Sequence, residues 1–180
     1  MPRDWDLYYS DAANLEFTPV PLLVEVADRL PPGRALDIAS GPGRNAIYLA
    51  SLGWHVTAVD SSAVAISILR AKAARMAIEA RAAELETGEF QIEPESYDLV
   101  CDFFYLQRSL FPRIREGVRL GGVFTAAIHL AGGEPGKGPR NPDFLLQPGE
   151  LRHEFAGWKI VYYSEGADRE HTARIIARRA

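Results

Sequence analysis

The sequence is poor in cysteine, because Cys101 is the single one among 180 residues. With one thiol, neither a disulfide framework nor a cluster of thiolate metal ligands can form within a chain. Cys101 lies in an apolar run, where a cysteine usually packs in the core. We therefore expect no structural disulfide and no metal site.

Long apolar runs and an excess of positive charge are also missing. No run approaches the roughly 20 apolar residues that a membrane-spanning helix needs. The 20 Lys and Arg residues are outnumbered by 24 Asp and Glu, for a net charge of −4, which does not favour a phosphate-backbone partner. The stretch Met1–Asp6 is acidic and aromatic, unlike a signal peptide. These features predict a cytoplasmic protein without a membrane or nucleic-acid partner.

A single domain over residues 1–180 is expected from the length and from a hydrophobic share of 47%, which is enough for one sizeable core. Within it, residues 1–32 form an aromatic segment and a helix that begins at Pro21. The sequence leaves open whether the protein is a monomer or a homodimer.

The most informative stretch runs from Ala35 to Asn45 and is followed by Val56–Asp60. It has the pattern of a buried strand, a glycine turn, a helix and a second buried strand that ends in a carboxylate. Glycines let the backbone approach a ligand closely, and an acid at the end of the second strand can accept hydrogen bonds from ribose hydroxyls. The stretch therefore predicts a nucleoside site.

Strand and helix patterns alternate along most of the chain, which is typical of a parallel sheet covered by helices on both faces. Strands are predicted at 34–39, 55–59, 80–84, 97–103, 123–130, 158–164 and 172–178. Helices are predicted at 21–30, 45–52, from Ser61 or Ser62 to Ile78, at 107–116, and from Pro148 to a stop before Gly157. The last two strands have no helix between them, so the predicted fold is Rossmann-like and doubly wound, with a mostly parallel seven-stranded sheet and a C-terminal antiparallel hairpin.

The chemistry-bearing residues cluster at one end of this predicted sheet. Each of them follows the carboxyl end of a strand, which is where such sheets bind ligands: Gly41, Asp60, Glu84, Asp102 and His129. Residues 131–143 are rich in Gly and Pro, and are either a functional lid or a plain mobile loop.

Two kinds of nucleoside cofactor fit a glycine turn followed by an acid. The spacing Gly41-x-Gly43-x-x-Ala46 with Asp60 loosely matches a dinucleotide fingerprint. Two features argue against a dinucleotide: Asp37 would lie beside a pyrophosphate, and 180 residues have no room for a second nucleotide-binding half. An NAD(P)-dependent reductase stays as an alternative.

The run Asp37-Ile-Ala-Ser-Gly41-Pro-Gly43 resembles motif I of class I S-adenosylmethionine (SAM)-dependent methyltransferases, with Ala39 in place of the first glycine. Two further stretches resemble the tellurite-resistance methyltransferases, a small-molecule subgroup related to thiopurine methyltransferases. They are Gly41–Asn45 with Tyr48-Leu49-Ala50, and Gly149–Arg152 with Gly157-Trp158.

This resemblance implies SAM as the cofactor and assigns cofactor-binding roles. Asp37 would lie near the amino-acid moiety, the small residues of the turn under the ribose and methionine, and Asp60 on the ribose hydroxyls. The full implied set is Asp37, Ala39, Ser40, Gly41, Gly43, Arg44, Asp60, Ser61, Glu84, Leu85, Asp102 and Phe103. Isolated members have plainer interpretations, such as a helix cap for Asp60 or a surface salt bridge for Arg44.

The residues that bind the methyl acceptor are harder to predict, because methyl transfer from a sulfonium needs mainly alignment and exclusion of water. The candidate substrate residues are Tyr9, Phe104, His129 and Arg140. The resemblance places a His-Arg pair in the last hairpin, where this chain has a shortened and reordered version, so Arg169 and His171 are the catalytic candidates. The aromatic segment and helix of residues 1–32 are expected to cover the cofactor, with Tyr9 in an aromatic flap. Tyr9 equally fits the packing of an N-terminal helix, and His171 an exposed hairpin residue.

The sequence thus predicts a SAM-dependent methyltransferase acting on a small molecule or a metalloid. A methyltransferase-fold protein that binds SAM without turnover is the main alternative. The segment after the fourth strand reads Asp102-Phe-Phe-Tyr, without the Asn/Asp-Pro-Pro-Tyr/Phe signature of enzymes that methylate nucleic-acid amines.

Overall fold

The structure is a computed structural model, and it describes residues 4–133, 138–139, 141–167 and 169–180. The chain divides into two compact units, one ending at Gln91 and the other beginning at Ile92. Each unit carries its own strands and helices.

The first unit alternates strands and helices. Helix α1 spans Trp5–Ser10 and α2 spans Pro21–Ala27. They are followed by β1 (Arg34–Ile38), α3 (Arg44–Ser51), β2 (His55–Asp60), α4 (Ala63–Lys72) and β3 (Ile78–Ala82). Side chains of β1 and β2 are buried almost throughout, as expected for parallel strands covered on both faces.

The second unit begins with β4 (Tyr97–Phe103), α5 (Phe111–Gly117) and β5 (Val118–His129). It continues with a short α6 (Glu150–Glu154), β6 (Lys159–Glu165) and β7 (Thr172–Arg178). Three single 3₁₀ turns, at 12–14, 108–110 and 142–144, complete the described elements.

The seven strands form a mixed sheet, ordered β3-β2-β1 in the first unit and β4-β5-β7-β6 in the second. In the first unit β2 pairs in parallel with both β1 and β3. In the second unit β4 and β5 are parallel, whereas β7 is antiparallel to both β5 and β6. The predicted doubly wound α/β fold with a C-terminal antiparallel hairpin is confirmed.

Each unit has an apolar core that holds its site residues in place. Leu36, Ile38, Leu49, Ile66 and Leu69 are fully buried in the first unit. In the second unit the rings of Phe124 and Phe155 stack with centroids 4.4 Å apart, and Phe111 meets Phe155 edge-on. Aromatic contacts of this kind add to the stabilisation from burial alone.

The prediction of a helix reaching Ile78 is wrong. Helix α4 ends at Lys72, and Ile78 begins β3, which therefore spans 78–82 rather than 80–84. The stretch between them is rich in helix-forming residues and has no Gly or Pro stop. Pairing overrides that propensity, because Val56 N donates to Ala77 O and Val56 stands opposite Ile78.

Strand β5 begins at Val118, five residues before the predicted start. The Gly121-Gly122 pair is predicted as a turn that precedes the strand. In the structure these glycines form an irregularity inside it: Val118 pairs with Tyr97 and Val123 with Leu99. Gly121 has a φ of 78°, a conformation that glycine adopts without strain.

Candidate functional site

The turn between β1 and α3 has an unusual backbone. Ala39, Gly41 and Gly43 have φ values of 51°, 54° and 91°, a region in which side chains are disfavoured. A methyl group at Gly43 would overlap Leu69 of α4, and one at Gly41 would lie 2.7 Å from the Tyr9 hydroxyl. The turn is thus tight at both glycines, and most of all at Gly43, and it brings bare backbone to the carboxyl end of β1.

Asp60 is fixed against this turn. It is the last residue of β2 and is 6% exposed. Its Oδ2 accepts a hydrogen bond from Gly41 N at 2.7 Å and its Oδ1 accepts one from Ser62 N at 2.9 Å. Each carboxylate oxygen has two acceptor directions, so one further bond to each oxygen is available for a ligand.

The surroundings of Asp60 raise its pKa above the ordinary value of 3.8. Burial is the main cause, and the negative charges of Glu84 and Asp6 act in the same direction. The Ser62 and Gly41 N–H groups oppose the shift. Negative charges gathered in this way attract a cationic ligand and repel a phosphate.

The other predicted cofactor residues of the first unit lie around the same turn. Asp37 is buried on β1, next to the end of the strand. Ser40 N donates to Val59 O at 3.0 Å, which joins the turn to β2. Arg44 is the first residue of α3, and its charge acts on Glu16. Ser61 is exposed, between the acid Asp60 and the helix cap that follows.

Glu84 and Leu85 follow β3, the neighbour of β2. Ala83 N donates to Asp60 O at 3.0 Å, which ties this segment to the end of β2. Leu85 is buried, and Glu84 is half-buried with its charge acting on Asp60. All ten predicted cofactor residues of the first unit thus lie at the carboxyl ends of three adjacent strands.

Helix α1 crosses the first two of these ends. Its Tyr9 reaches Gly41 on the turn after β1. Its Asp6 reaches α4 after β2, where Oδ1 accepts hydrogen bonds from Ser62 Oγ at 2.6 Å and Val64 N at 3.1 Å. These bonds lower the pKa of Asp6, with that from the Ser62 side chain as the largest cause.

From the sequence, an N-terminal helix was only an alternative for Tyr9, and the contact of Asp6 was not predicted. Asp4 caps α1 by accepting from Leu7 N at 3.0 Å, and an aspartate directly before an aromatic and apolar run is a usable N-cap signal. Asn45 was also missed: its buried Oδ1 accepts from Val20 N at 3.0 Å and fastens the end of the N-terminal segment to α3. No sequence signal marks a bond between positions so far apart.

In the second unit, the last two predicted cofactor residues and two acceptor-side candidates lie at strand ends. Asp102 and Phe103 are buried at the end of β4. Phe104 follows with a φ of 64°, and its ring lies 5.5 Å from the ring of His129, the last residue of β5. A bulky residue in this conformation is a backbone outlier of the kind that clusters at functional sites.

His171 lies beside the end of β5, just before β7. Its carbonyl accepts from Leu130 N at 3.0 Å, and its ring Nε2 lies 3.4 Å from Ala131 O. Its φ is 51°. His129 Nδ1 lies 3.2 Å from Glu170 O, so the structure brings both histidines together.

Of the remaining two candidates, the structure describes only Arg169. Arg169 is exposed on the turn between β6 and β7. Arg140 lies outside the described residues. Around the cluster, a methyl group at Gly133 would lie 2.8 Å from the His171 ring.

The segment before α6 is held by Arg108, which sequence analysis did not single out. Its guanidinium donates to both Glu150 oxygens and to the carbonyls of Asp143 and Leu145. Glu150 also accepts from Gln147 N at 2.7 Å. We call this group the Arg108 clamp; it fixes the chain where the Gly/Pro-rich region ends.

Within the described ranges, no three His, Cys, Asp or Glu side chains form a group that could hold a metal ion. None of the helices of that part of the chain is long and apolar enough to cross a membrane.

Comparison with solved structures gives the class of this fold, that of the SAM-dependent methyltransferases. The crystal structure of TehB from Haemophilus influenzae matches with a TM-score of 0.77 and 22% identity, covering 98% of this chain and 67% of that one. A 1,6-didemethyltoxoflavin-N1-methyltransferase of Burkholderia thailandensis, solved with S-adenosylhomocysteine, matches with a TM-score of 0.66 and 19% identity, covering 89% of this chain and 77% of that one.

The chain belongs to the family of the tellurite resistance protein TehB, whose sequence model matches residues 3–178. Among curated proteins, it is 25% identical over 156 residues to the probable S-adenosyl-L-methionine-dependent methyltransferase TehB of Haemophilus influenzae, covering 83% of this chain and 54% of that protein. The chain thus spans about half the length of the curated relatives that it matches. The resemblance to the tellurite-resistance subgroup is confirmed.

Proposed function

We propose that this protein is a SAM-dependent methyltransferase that acts on a small acceptor, either an organic molecule or a metalloid oxyanion. The observation that carries the proposal is the pairing of the glycine turn with Asp60. Gly41 N and Ser62 N hold the carboxylate in place, and its remaining acceptor directions suit a ribose diol. The family and the fold support this assignment.

The residues present fit this cofactor better than a dinucleotide. Asp37 and Asp60 are buried carboxylates beside the turn, and Glu84 adds its charge nearby. A cationic sulfonium and a neutral ribose suit such a site, whereas a pyrophosphate would be repelled. Bound SAM would supply a methyl group activated by the sulfonium, and the chain's own residues would hold and cover it.

In the transfer, a lone pair of the acceptor would form a bond to the methyl carbon while the electrons of the carbon–sulfur bond pass to sulfur. The protein's part is alignment and exclusion of water. We propose that Asp60 orients the ribose, that the turn 39–43 supports it, and that Tyr9 covers it.

For the acceptor we propose the cluster of Phe104, His129 and His171 at the end of β5. A neutral His129 that donates from Nδ1 to Glu170 O keeps its lone pair on Nε2. That nitrogen could take a proton from an acceptor that must lose one. Arg169, exposed on the same hairpin turn, could meet an anionic acceptor.

A turnover assay tests this proposal. The protein is incubated with methyl-labelled SAM and a panel of thiols, phenols and chalcogen oxyanions, and S-adenosylhomocysteine is measured. We expect release of S-adenosylhomocysteine with at least one acceptor and its loss in Asp60→Ala. Binding of SAM without turnover across the panel would favour a non-catalytic SAM-binding protein, and stabilisation by NAD(P)H but not by SAM would favour a reductase.

A further inference from the structure

Helix α1 is a short helix on the surface of the first unit. It has six residues, none of which is fully buried, and Leu7 and Trp5 are 72% and 42% exposed. An isolated helix of this length is not stable in water. What holds α1 in place must therefore come from its contacts with the rest of the unit.

Asp6 makes a polar contact between α1 and the rest of the unit. Val64 N is one of the first N–H groups of α4, which have no partner within that helix, and it donates to Asp6 Oδ1 at 3.1 Å. Ser62 Oγ accepts from Ala65 N at 3.0 Å and uses its single proton for Asp6. Asp6 thus acts as a second N-cap for α4, brought in from a distant part of the chain.

This contact places Tyr9 over the glycine turn. Tyr9 stacks on Trp5 with centroids 5.9 Å apart and meets Tyr8 edge-on, so the three rings move with the helix. The Tyr9 hydroxyl lies against Gly41, which is buried beneath it. Entry of a ligand onto Gly41 requires the Tyr9 ring to move aside, and the contacts among the three rings couple that movement to α1.

Ser62, which contacts Asp6, also contacts Asp60. Ser62 N donates to Asp60 Oδ1, while Ser62 Oγ donates to Asp6. One residue therefore joins the proposed ribose-binding carboxylate to the helix that covers the turn. Segments with few buried contacts open at low cost in free energy, so a weaker Asp6 contact would let α1 open more often.

We propose that α1 is a lid over the cofactor turn and that Asp6 is its latch, so that Asp6 governs the rate at which cofactor and product exchange. This inference rests on the proposed function, because it takes SAM and S-adenosylhomocysteine as the exchanging ligands. A latch that closes the lid over both the empty and the filled site changes the rates of binding and release together and leaves the affinity nearly unchanged.

Stopped-flow fluorescence with S-adenosylhomocysteine tests the latch. We expect Asp6→Ala to raise the association and dissociation rates each by about 10-fold, as for the loss of hydrogen bonds to a charged group, with the Kd changed by less than about 2-fold. Asp6→Asn keeps an acceptor oxygen, so its association and dissociation rates should lie between those of the wild type and those of Asp6→Ala. Asp11→Ala is the matched control, because Asp11 lies in the same segment and accepts from Ala13 N without reaching α4.

A double-mutant cycle with Tyr9→Ala shows whether Asp6 acts through Tyr9. In that background, Asp6→Ala should change neither rate by more than about 2-fold, since no ring is left to hold over the turn. Rates that are equal in Asp6→Ala and Asp11→Ala, or that change as much without Tyr9 as with it, would overturn the proposal.

Hydrogen exchange without ligand separates a failed latch from a failed cofactor assignment. The amides of residues 5–10 should exchange faster in Asp6→Ala than in Asp11→Ala, whatever the protein binds. If the wild-type protein does not bind S-adenosylhomocysteine, the proposed function fails. If it binds and the two variants protect α1 equally, the latch fails.

Discussion

At the scale of single residues, Asp60 carries most of the proposed site. Asp60→Ala should weaken SAM binding by about 1–3 kcal/mol, because the ribose hydroxyls lose a buried acceptor. Isothermal titration calorimetry measures the change. Glu25→Ala, which removes an exposed acid from α2, is the control and should bind as the wild type does. Unchanged affinity in Asp60→Ala would remove this residue from the site.

The raised pKa of Asp60 gives a second prediction, on pH. Protonation of this carboxyl begins at a higher pH than for an ordinary aspartate, because burial and the charges of Glu84 and Asp6 disfavour its ionised form. The ionised form is the better acceptor for the ribose. SAM affinity should therefore be full above the raised pKa and fall as the pH drops through it.

Calorimetry over a pH series measures this profile. Glu84→Gln removes one of the like charges, so the fall should move to lower pH, and Asp60→Asn should flatten it. A wild-type profile that falls no earlier than expected for a carboxyl with the ordinary pKa of 3.8 would contradict the assignment.

Glycine at position 43 gives a prediction on stability. Gly43→Ala should lower the free energy of unfolding by about 3 kcal/mol, because the new methyl meets Leu69 and the φ of 91° disfavours a side chain. Gly121→Ala is the matched control: its φ is 78°, but no atom lies within 4 Å of the added carbon. It should cost about 1 kcal/mol. Equal losses in urea unfolding would show that the contact with Leu69 does not matter.

At the scale of elements, we predict that the Arg108 clamp orders residues 141–150 and has no effect on cofactor binding. Arg108→Ala removes the donors that hold Glu150 and the carbonyls of Asp143 and Leu145. Hydrogen exchange across residues 141–150 should become faster, while SAM affinity stays unchanged. Arg113→Ala, an exposed arginine on α5, should leave exchange as in the wild type. A large loss of SAM affinity in Arg108→Ala would contradict this separation.

The same scale shows what the sequence could predict. The strands with continuous apolar or alternating patterns were found with nearly correct bounds: Tyr97–Phe103 and Thr172–Arg178 match β4 and β7. The boundary between α4 and β3 was missed, because pairing with β2 rather than local propensity ends the helix. Helix α1 was only an alternative for Tyr9, because a six-residue helix carries little periodicity.

For the site, motif I and the strand-end acids were enough to predict that the cofactor residues of the first unit lie at neighbouring strand ends. Their roles toward SAM stay predictions. The contact between Asp6 and Ser62 was not predictable, since 56 residues separate the partners. The histidines at positions 129 and 171 were singled out one by one, but antiparallel pairing of β5 with β7 is what brings them together.

At the scale of the whole molecule, family and fold are established and the acceptor is a proposal. The chain spans about half the length of its curated relatives, so their activity is not simply transferred to it. The account depends on one claim, that the first unit binds a sulfonium nucleoside on its glycine turn with Asp60 on the sugar.

Calorimetric titration of the wild-type protein with S-adenosylhomocysteine, SAM and NADPH tests that claim most directly. We predict saturable binding of S-adenosylhomocysteine and SAM at one site per chain and no heat from NADPH. Binding of NADPH with no binding of either sulfur nucleoside would contradict the account.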